Sequence, residues 1–136
     1  MFNDHAYLYV EDEELSREVM EIVMTQAMDV EHLTIFHDST DFMARVEVLS
    51  PRPDVFLLDI RVEPVDGYQM LKLLRAQPDY REARIVAVTA SVMTEQIKHL
   101  RQAGFDAAIA KPVRVSSFPE VMECILRGDE VWFTGI

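Results

Sequence analysis

The sequence predicts an α/β domain: a doubly wound, five-stranded parallel sheet with five helices on its two faces, a three-layer sandwich. Three observations predict it. Short apolar runs alternate five times with segments of helical period. Those runs are continuously apolar, as strands buried on both faces are. The chain has 136 residues, enough for one such core.

The first run, AYLYV, covers 6–10, and helical spacing follows at Leu15, Val19, Ile22, Val23 and Gln26–Ala27. HLTIF (32–36) is the second strand. Phe42, Val46 and Leu49 mark the second helix, which SPRP stops. VFLLD (55–59) is the third strand and Gly67 to Ala76 the third helix. RIVAVTA (84–90) is the fourth strand. Met93, Ile97 and Leu100 mark the fourth helix, which Gly104 ends. AAIA (107–110) is a short fifth strand. Phe118, Val121, Met122, Ile125 and Leu126 then keep the period of a fifth helix, and Ser117 to Glu120 reads as a capping box for it.

Composition bounds the function. The hydrophobic fraction is 49% and the charged fraction 27%, ordinary for a globular domain. A formal charge of −11 argues against nonspecific binding to nucleic acid or to an anionic membrane surface, both of which need basic patches. No apolar stretch approaches the roughly 20 residues that span a bilayer, and the N-terminus lacks a signal-peptide layout, so a cytoplasmic location is expected. The single cysteine, Cys124, excludes an internal disulfide and is expected to be a buried, inert thiol. The four histidines show no metal-ligand spacing and are expected at surface or boundary positions.

One residue breaks the pattern of the third strand. Asp59 follows Val55, Phe56, Leu57 and Leu58 directly, and burying a carboxylate is costly unless it is paired or bound to a metal. In an open parallel sheet, sites form outside the carboxyl ends of the strands. There the chain also places Glu11 and Asp12 after the first strand, Thr89 at the end of the fourth and Lys111 after the fifth. With strand order 2-1-3-4-5 the first and third strands are neighbours, so three carboxylates converge. Like charges together repel, and a divalent cation relieves this. Oxygen-only ligands suit Mg²⁺ better than Zn²⁺. The set fits phosphoryl chemistry: Asp59 as nucleophile, Mg²⁺ on Asp12 and Asp59, Lys111 as a further positive charge, and the Thr89 hydroxyl as a donor. Ala90 is small and leaves access for a phosphoryl donor. Singly, each residue has a plainer explanation: Asp12 as a helix cap, Thr89 as a strand residue, Lys111–Pro112 as a loop. The four strand ends together favour the functional one.

YVEDEELSR, LLDIRVEPVDGYQML, VAVTA and AKP, in this order and spacing, resemble the receiver domain of bacterial two-component response regulators. The resemblance runs from about Asp4 to Arg127 and implies a flavodoxin-like fold for residues 4–127, followed by a short tail, 128–136, without a separate output domain. It implies that Asp59 is the phosphoacceptor. Asp12 would be a direct metal ligand, Glu11 would act through water, and the Arg61 backbone carbonyl would complete the Mg²⁺ ligands. It implies that Thr89 is the switch hydroxyl and Lys111 the family's lysine, with a Lys111–Pro112 bond open to the cis form. Arg61 and Ser91, two residues after Asp59 and Thr89, would tune the lifetime of the phosphate. The implied partners are a histidine kinase or a histidine phosphotransfer protein and a downstream protein. Dimerisation through the fourth and fifth helices is left open. The implied role is a phosphorylatable switch rather than an enzyme, beyond taking phosphate from a donor and losing it again.

Three departures stand out. The proline of the loop after Asp59 has moved one place, giving Val62-Glu63-Pro64, so this loop is expected to take an unusual path. Arg61 puts a guanidinium beside the site, directed to the phosphoryl group, to the acidic pair or to solvent. Ala108 stands where the family carries a switch aromatic, so a threonine–aromatic coupling cannot operate. The tail carries Trp132, Phe133 and Ile136, expected to fold back on the domain, or to be the remnant of a longer chain, rather than to serve as a docking peptide. Three further readings remain: a receiver module excised from a hybrid histidine kinase or multidomain regulator, a receiver-like domain that no longer takes phosphate, and a Mg²⁺-dependent phosphohydrolase of the haloacid-dehalogenase type. The last would need a second aspartate at the position Arg61 holds.

Overall fold

The structure, a computed structural model, describes residues 2–132. Its strands are β1 (Tyr7–Val10), β2 (Leu33–Phe36), β3 (Val55–Asp59), β4 (Arg84–Thr89) and β5 (Ala107–Ala110), alternating with helices α1 (Glu14–Ile22), α2 (Phe42–Glu47), α3 (Gly67–Arg75), α4 (Thr94–Ala103) and α5 (Phe118–Arg127). All four strand pairings are parallel and the order is β2-β1-β3-β4-β5, as the sequence predicts. β1, β3 and β5 are buried along their whole length, which is why they read as unbroken apolar runs.

Strand side chains alternate between the two faces, and the two cores follow from that alternation. Leu8, Val10, Phe56, Leu58, Ile85, Ala87 and Ala108 meet α2, α3 and α4 through Phe42, Val46, Met70, Leu71, Leu74 and Leu100. Tyr7, Tyr9, Val55, Leu57, Val86, Val88, Ala107 and Ile109 meet α1 and α5 through Met20, Phe118, Met122 and Ile125.

Four local details differ from the sequence expectation. The buried face of the first helix is Met20, Val23 and Met24, while Leu15 and Ile22 are exposed. The helix continues past Ile22 as a π-helical turn, Val23–Ala27. The capping box expected at Ser117 is absent: Ser117 has helical backbone angles and its side chain caps nothing. Pro119 in the first turn removes an amide that needs no intrahelical partner there, so this helix starts by the proline route instead. The capping box of the chain lies at α3, where the Asp66 side chain accepts from the Gln69 amide at 2.9 Å and the Gln69 side chain accepts from the Asp66 amide at 2.9 Å. Cys124, expected to be buried, is half-buried, and the Arg127 guanidinium lies 3.4 Å from its sulfur. Gly104 ends α4 at φ 110°, as read from the sequence.

After α5 the chain turns back over the outer side of β5. The Ala108 amide donates to the Val131 carbonyl at 2.9 Å, and Val131 is buried. Trp132 packs against the core cluster that contains Ala108, with the Arg101 guanidinium 5.0 Å from its ring centre. The tail thus folds back as far as Trp132. Phe133 and Ile136 lie outside the described residues. No helix among the described residues is long and apolar enough to cross a membrane.

Candidate functional site

Parallel pairing brings the ends of β1, β3, β4 and β5 to one edge. β1 and β3 run in register, Val10 beside Leu58, so Glu11 and Asp59 emerge side by side. Asp59 stands beside Val88 and Thr89 beside Ala110, and the Lys111 amide donates to the Thr89 carbonyl at 2.8 Å. Gly67 lets the first turn of α3 come down on the end of β3. A Cβ there would lie 2.8 Å from Ile60 Cα and 3.2 Å from the Asp59 carbonyl oxygen.

Glu11, Asp12 and Asp59 each offer a carboxylate oxygen, all within 4.8 Å of one another. Glu11 and Asp59 are buried and Asp12 is exposed, so the cluster opens to solvent on the Asp12 side. Three oxygen donors of this kind fit a hard divalent cation. Lys111 reaches into the cluster from β5: its ammonium donates to both Glu11 oxygens, at 3.1 and 3.2 Å, and to Asp59 Oδ2 at 3.3 Å. The Arg61 amide donates to the other Asp59 oxygen at 3.1 Å. The Lys111–Pro112 bond is cis, as is Glu63–Pro64 in the loop after Asp59.

Burial and the neighbouring Asp59 carboxyl raise the Glu11 carboxyl to about 7, against the Tyr9 hydroxyl and the Lys111 ammonium, which lower it. For Lys111, burial alone would lower the pKa. The charges of Asp59 and Glu11 outweigh it and hold the ammonium above its ordinary value.

The other residues singled out in the sequence sit around this centre. The buried Thr89 hydroxyl is turned to the next loop, accepting from the Ser91 amide at 3.1 Å and lying 3.3 Å from the Ser91 carbonyl. Ala90 and Pro112 are exposed, and Ser91 is half-buried. The Arg61 side chain is exposed and makes no ion pair among the described residues, which favours solvent over the acidic cluster. The four histidines are exposed, apart from the half-buried His5, which lies 2.7 Å from Asp54.

Two neighbours of the site escape sequence reading. The Tyr9 hydroxyl donates to Glu11 Oε1 at 2.7 Å inside the core. Its signal is present but easily missed: residues i and i+2 of a strand share a face, so Tyr9 points where Glu11 points. The Arg17 guanidinium, in the first turn of α1, donates to the Glu11 carbonyl at 3.1 Å.

Comparison with known proteins agrees with this geometry. Residues 7–123 match the response regulator receiver domain family. The polar-differentiation response regulator DivK of Brucella anthropi is 36% identical over 75 residues, which are 55% of this chain and 61% of that protein. DivK of Brucella ovis is 35% identical over 74 residues, 54% of this chain and 60% of that protein. The matched stretch therefore spans less than two thirds of these relatives. Among solved structures, the receiver domain of the sensor histidine kinase PA1611 from Pseudomonas aeruginosa PAO1 has a TM-score of 0.74 at 27% identity, covering 90% of this chain and 95% of that one. That structure holds a magnesium ion in its active-site cleft. The chemotaxis response regulator CheY4 of Vibrio cholerae, at 18% identity, shares the fold with a TM-score of 0.78 over 89% of this chain and 98% of that one. On its fold, its strand-end acids and this match, the chain belongs to the response regulator receiver domain family.

Proposed function

We propose that this receiver domain is a phosphorylatable switch of a two-component or phosphorelay pathway, with Asp59 as the acceptor. One observation carries the proposal: Lys111 and the Arg61 amide each hold one oxygen of a buried Asp59, beside two further carboxylates. An aspartate so fixed is a preorganised nucleophile at the mouth of the site.

In the step proposed, an Asp59 oxygen attacks the phosphorus of a phosphohistidine on a kinase or a phosphotransfer protein. The P–N bond breaks, its electron pair returns to the imidazole, and an aspartyl phosphate forms. Asp12, Asp59 and the Arg61 carbonyl would hold Mg²⁺, with Glu11 acting through water; when bound, the ion neutralises charge on the transferring group. Lys111 would move from Asp59 to a phosphoryl oxygen, and Thr89 would turn its hydroxyl from Ser91 to another. Ala90 leaves the approach open. Arg61 and Ser91, at the rim, would affect how long the phosphate survives water.

The donor is proposed to dock on α1. Leu15 is 67% exposed and Ile22 50% exposed, two turns apart on one side of that helix. A cleft of about 120 Å³ between Leu15, Ser16, Val19, Lys111, Pro112 and Val113 joins this side to the site. Output would pass to a downstream protein, in the cytoplasm. A second reading, a receiver module of a hybrid histidine kinase or multidomain regulator, has support in the 27% identity to the PA1611 receiver domain.

Intact-mass spectrometry after incubation with Mg²⁺ and a small acyl phosphate tests the acceptor. One phosphoryl adduct is expected, lost in Asp59→Asn. No adduct, or one that survives Asp59→Asn, refutes the assignment.

A further inference from the structure

Among the described residues, four polar or charged side chains are buried: Glu11, Asp59, Thr89 and Ser39. The first three stand at the site just described. Ser39 does not. It lies in the loop between β2 and α2, with 0% of its surface exposed. Burying a hydroxyl is unfavourable unless its hydrogen bonds are made, and here both are. The Ser39 hydroxyl donates to the Val65 carbonyl at 2.6 Å and accepts from the Val65 amide at 2.7 Å. The Ser39 amide donates to the Glu63 carbonyl at 3.2 Å.

We propose that Ser39 is a positioning residue for the β3–α3 loop, fixing the path on which the Arg61 backbone meets the acidic cluster. This rests on the receiver reading above. Residues 61–66 form neither helix nor strand, so their path depends on anchors. At the base, the Gly67 amide donates to the Ile60 carbonyl at 3.0 Å. Val62 inserts into the core. At the far side, three hydrogen bonds from Ser39 hold Glu63 and Val65. The Arg61 amide that holds Asp59, and the carbonyl assigned to the metal, lie between these anchors. One group must donate and accept at once to bridge both polar atoms of Val65, and a hydroxyl does so. This clasp accompanies the displaced proline, Pro64, that sets this loop apart.

The test is calorimetric titration of Mg²⁺ into the full chain, with phosphorylation by an acyl phosphate followed by intact mass. Ser39→Ala removes both hydroxyl bonds to Val65 and should weaken Mg²⁺ binding severalfold through the looser loop that carries the Arg61 carbonyl. It should slow phosphoryl uptake in step. Ser39→Thr keeps the hydroxyl and should stay close to the parent. Ile125→Ala, a core truncation in α5, should lower the melting temperature and leave Mg²⁺ affinity unchanged. If Ser39→Ala does not fold, Ser39→Cys, with its weaker hydrogen bonds, replaces it and should show the same loss.

The proposal is overturned if Ser39→Ala, or Ser39→Cys in its place, binds Mg²⁺ like the parent, or if Ser39→Thr loses as much as Ser39→Ala. It is overturned equally if Ile125→Ala loses affinity in proportion to its stability. A parent that binds Mg²⁺ but takes no phosphoryl group refutes the acceptor role alone, and the Ser39 comparison still reads. A parent that binds no Mg²⁺ refutes both.

Discussion

Lys111 spans the sheet edge to Glu11, its ammonium 3.1 and 3.2 Å from the two oxygens of a carboxylate with no exposed surface. Besides this cation, Glu11 accepts from the Tyr9 hydroxyl at 2.7 Å and, at a long 3.3 Å, from the Glu13 amide. Removing one partner of a buried ion pair leaves an uncompensated charge. Lys111→Ala should therefore destabilise the metal-free protein by about 2–4 kcal/mol, somewhat less than a fully buried pair because the lysine is partly exposed. Saturating Mg²⁺ should recover part of that loss, since without the ammonium on Glu11 and Asp59 the cation meets less repulsion and binds the folded variant more tightly than the parent. Urea unfolding in EDTA and in Mg²⁺ checks both; equal losses in the two conditions would contradict the shared role.

The metal-free protein should lose stability as pH rises from about 4.5 to about 7. The Glu11 carboxyl is raised from 4.5 to about 7 on folding, so between those values the folded state binds more protons than the unfolded one. Stability falls with rising pH wherever that holds. At 1.36 kcal/mol per pKa unit the total from this group is about 3 kcal/mol at most. Chemical denaturation across this range in EDTA should show the slope, and Glu11→Gln should flatten it. A slope of the opposite sign in the parent that Glu11→Gln leaves untouched would contradict the assignment.

Gly67→Ala should cost about 1–3 kcal/mol, the range for overpacking a tight core. Its Cβ would meet Ile60 at 2.8 Å, and that contact is with backbone as well as side chain. Because Ile60 follows Asp59, phosphoryl uptake should fall together with the melting temperature. A variant with parental stability would show that α3 can lift without cost.

Arg61→Asn should leave folding stability within about 0.5 kcal/mol of the parent, as exposed substitutions do. The decay of the aspartyl phosphate, followed by intact mass, is where its effect should appear. An unchanged decay rate would confine Arg61 to solvent in the phosphorylated state as well.

The fold was legible because β1, β3 and β5 are buried throughout, so their sequences carry no alternation and fix the parallel class. The cluster was legible because Glu11, Asp59 and Lys111 each directly follow an unbroken apolar run, with Asp12 next to Glu11. What the sequence hid has physical reasons. In the first helix, the face that meets the sheet is set by Met20, Val23 and Met24, so Leu15 and Ile22 face solvent where the period put them inside. At Ser117, the S-x-x-E pattern competes with Pro119, and the cap does not form. Ser39 stands in the polar stretch HDST, which reads as an ordinary loop; only a contact 26 residues away makes it interior. Tyr9 reads as one more apolar residue because its hydroxyl finds its partner inside.

The segment that folds back over β5 has a consequence for assembly. A terminal strand of a sheet is a template on which a foreign chain can lay another strand. Here the Ala108 amide is already taken by the Val131 carbonyl, and Trp132 lies against the adjoining core under the Arg101 guanidinium. Edge-to-edge growth at Ala108 would first have to displace the molecule's own Val131. The opposite margin, β2, has Leu33, Thr34 and Ile35 only half-buried and is the flank where strand addition meets less resistance.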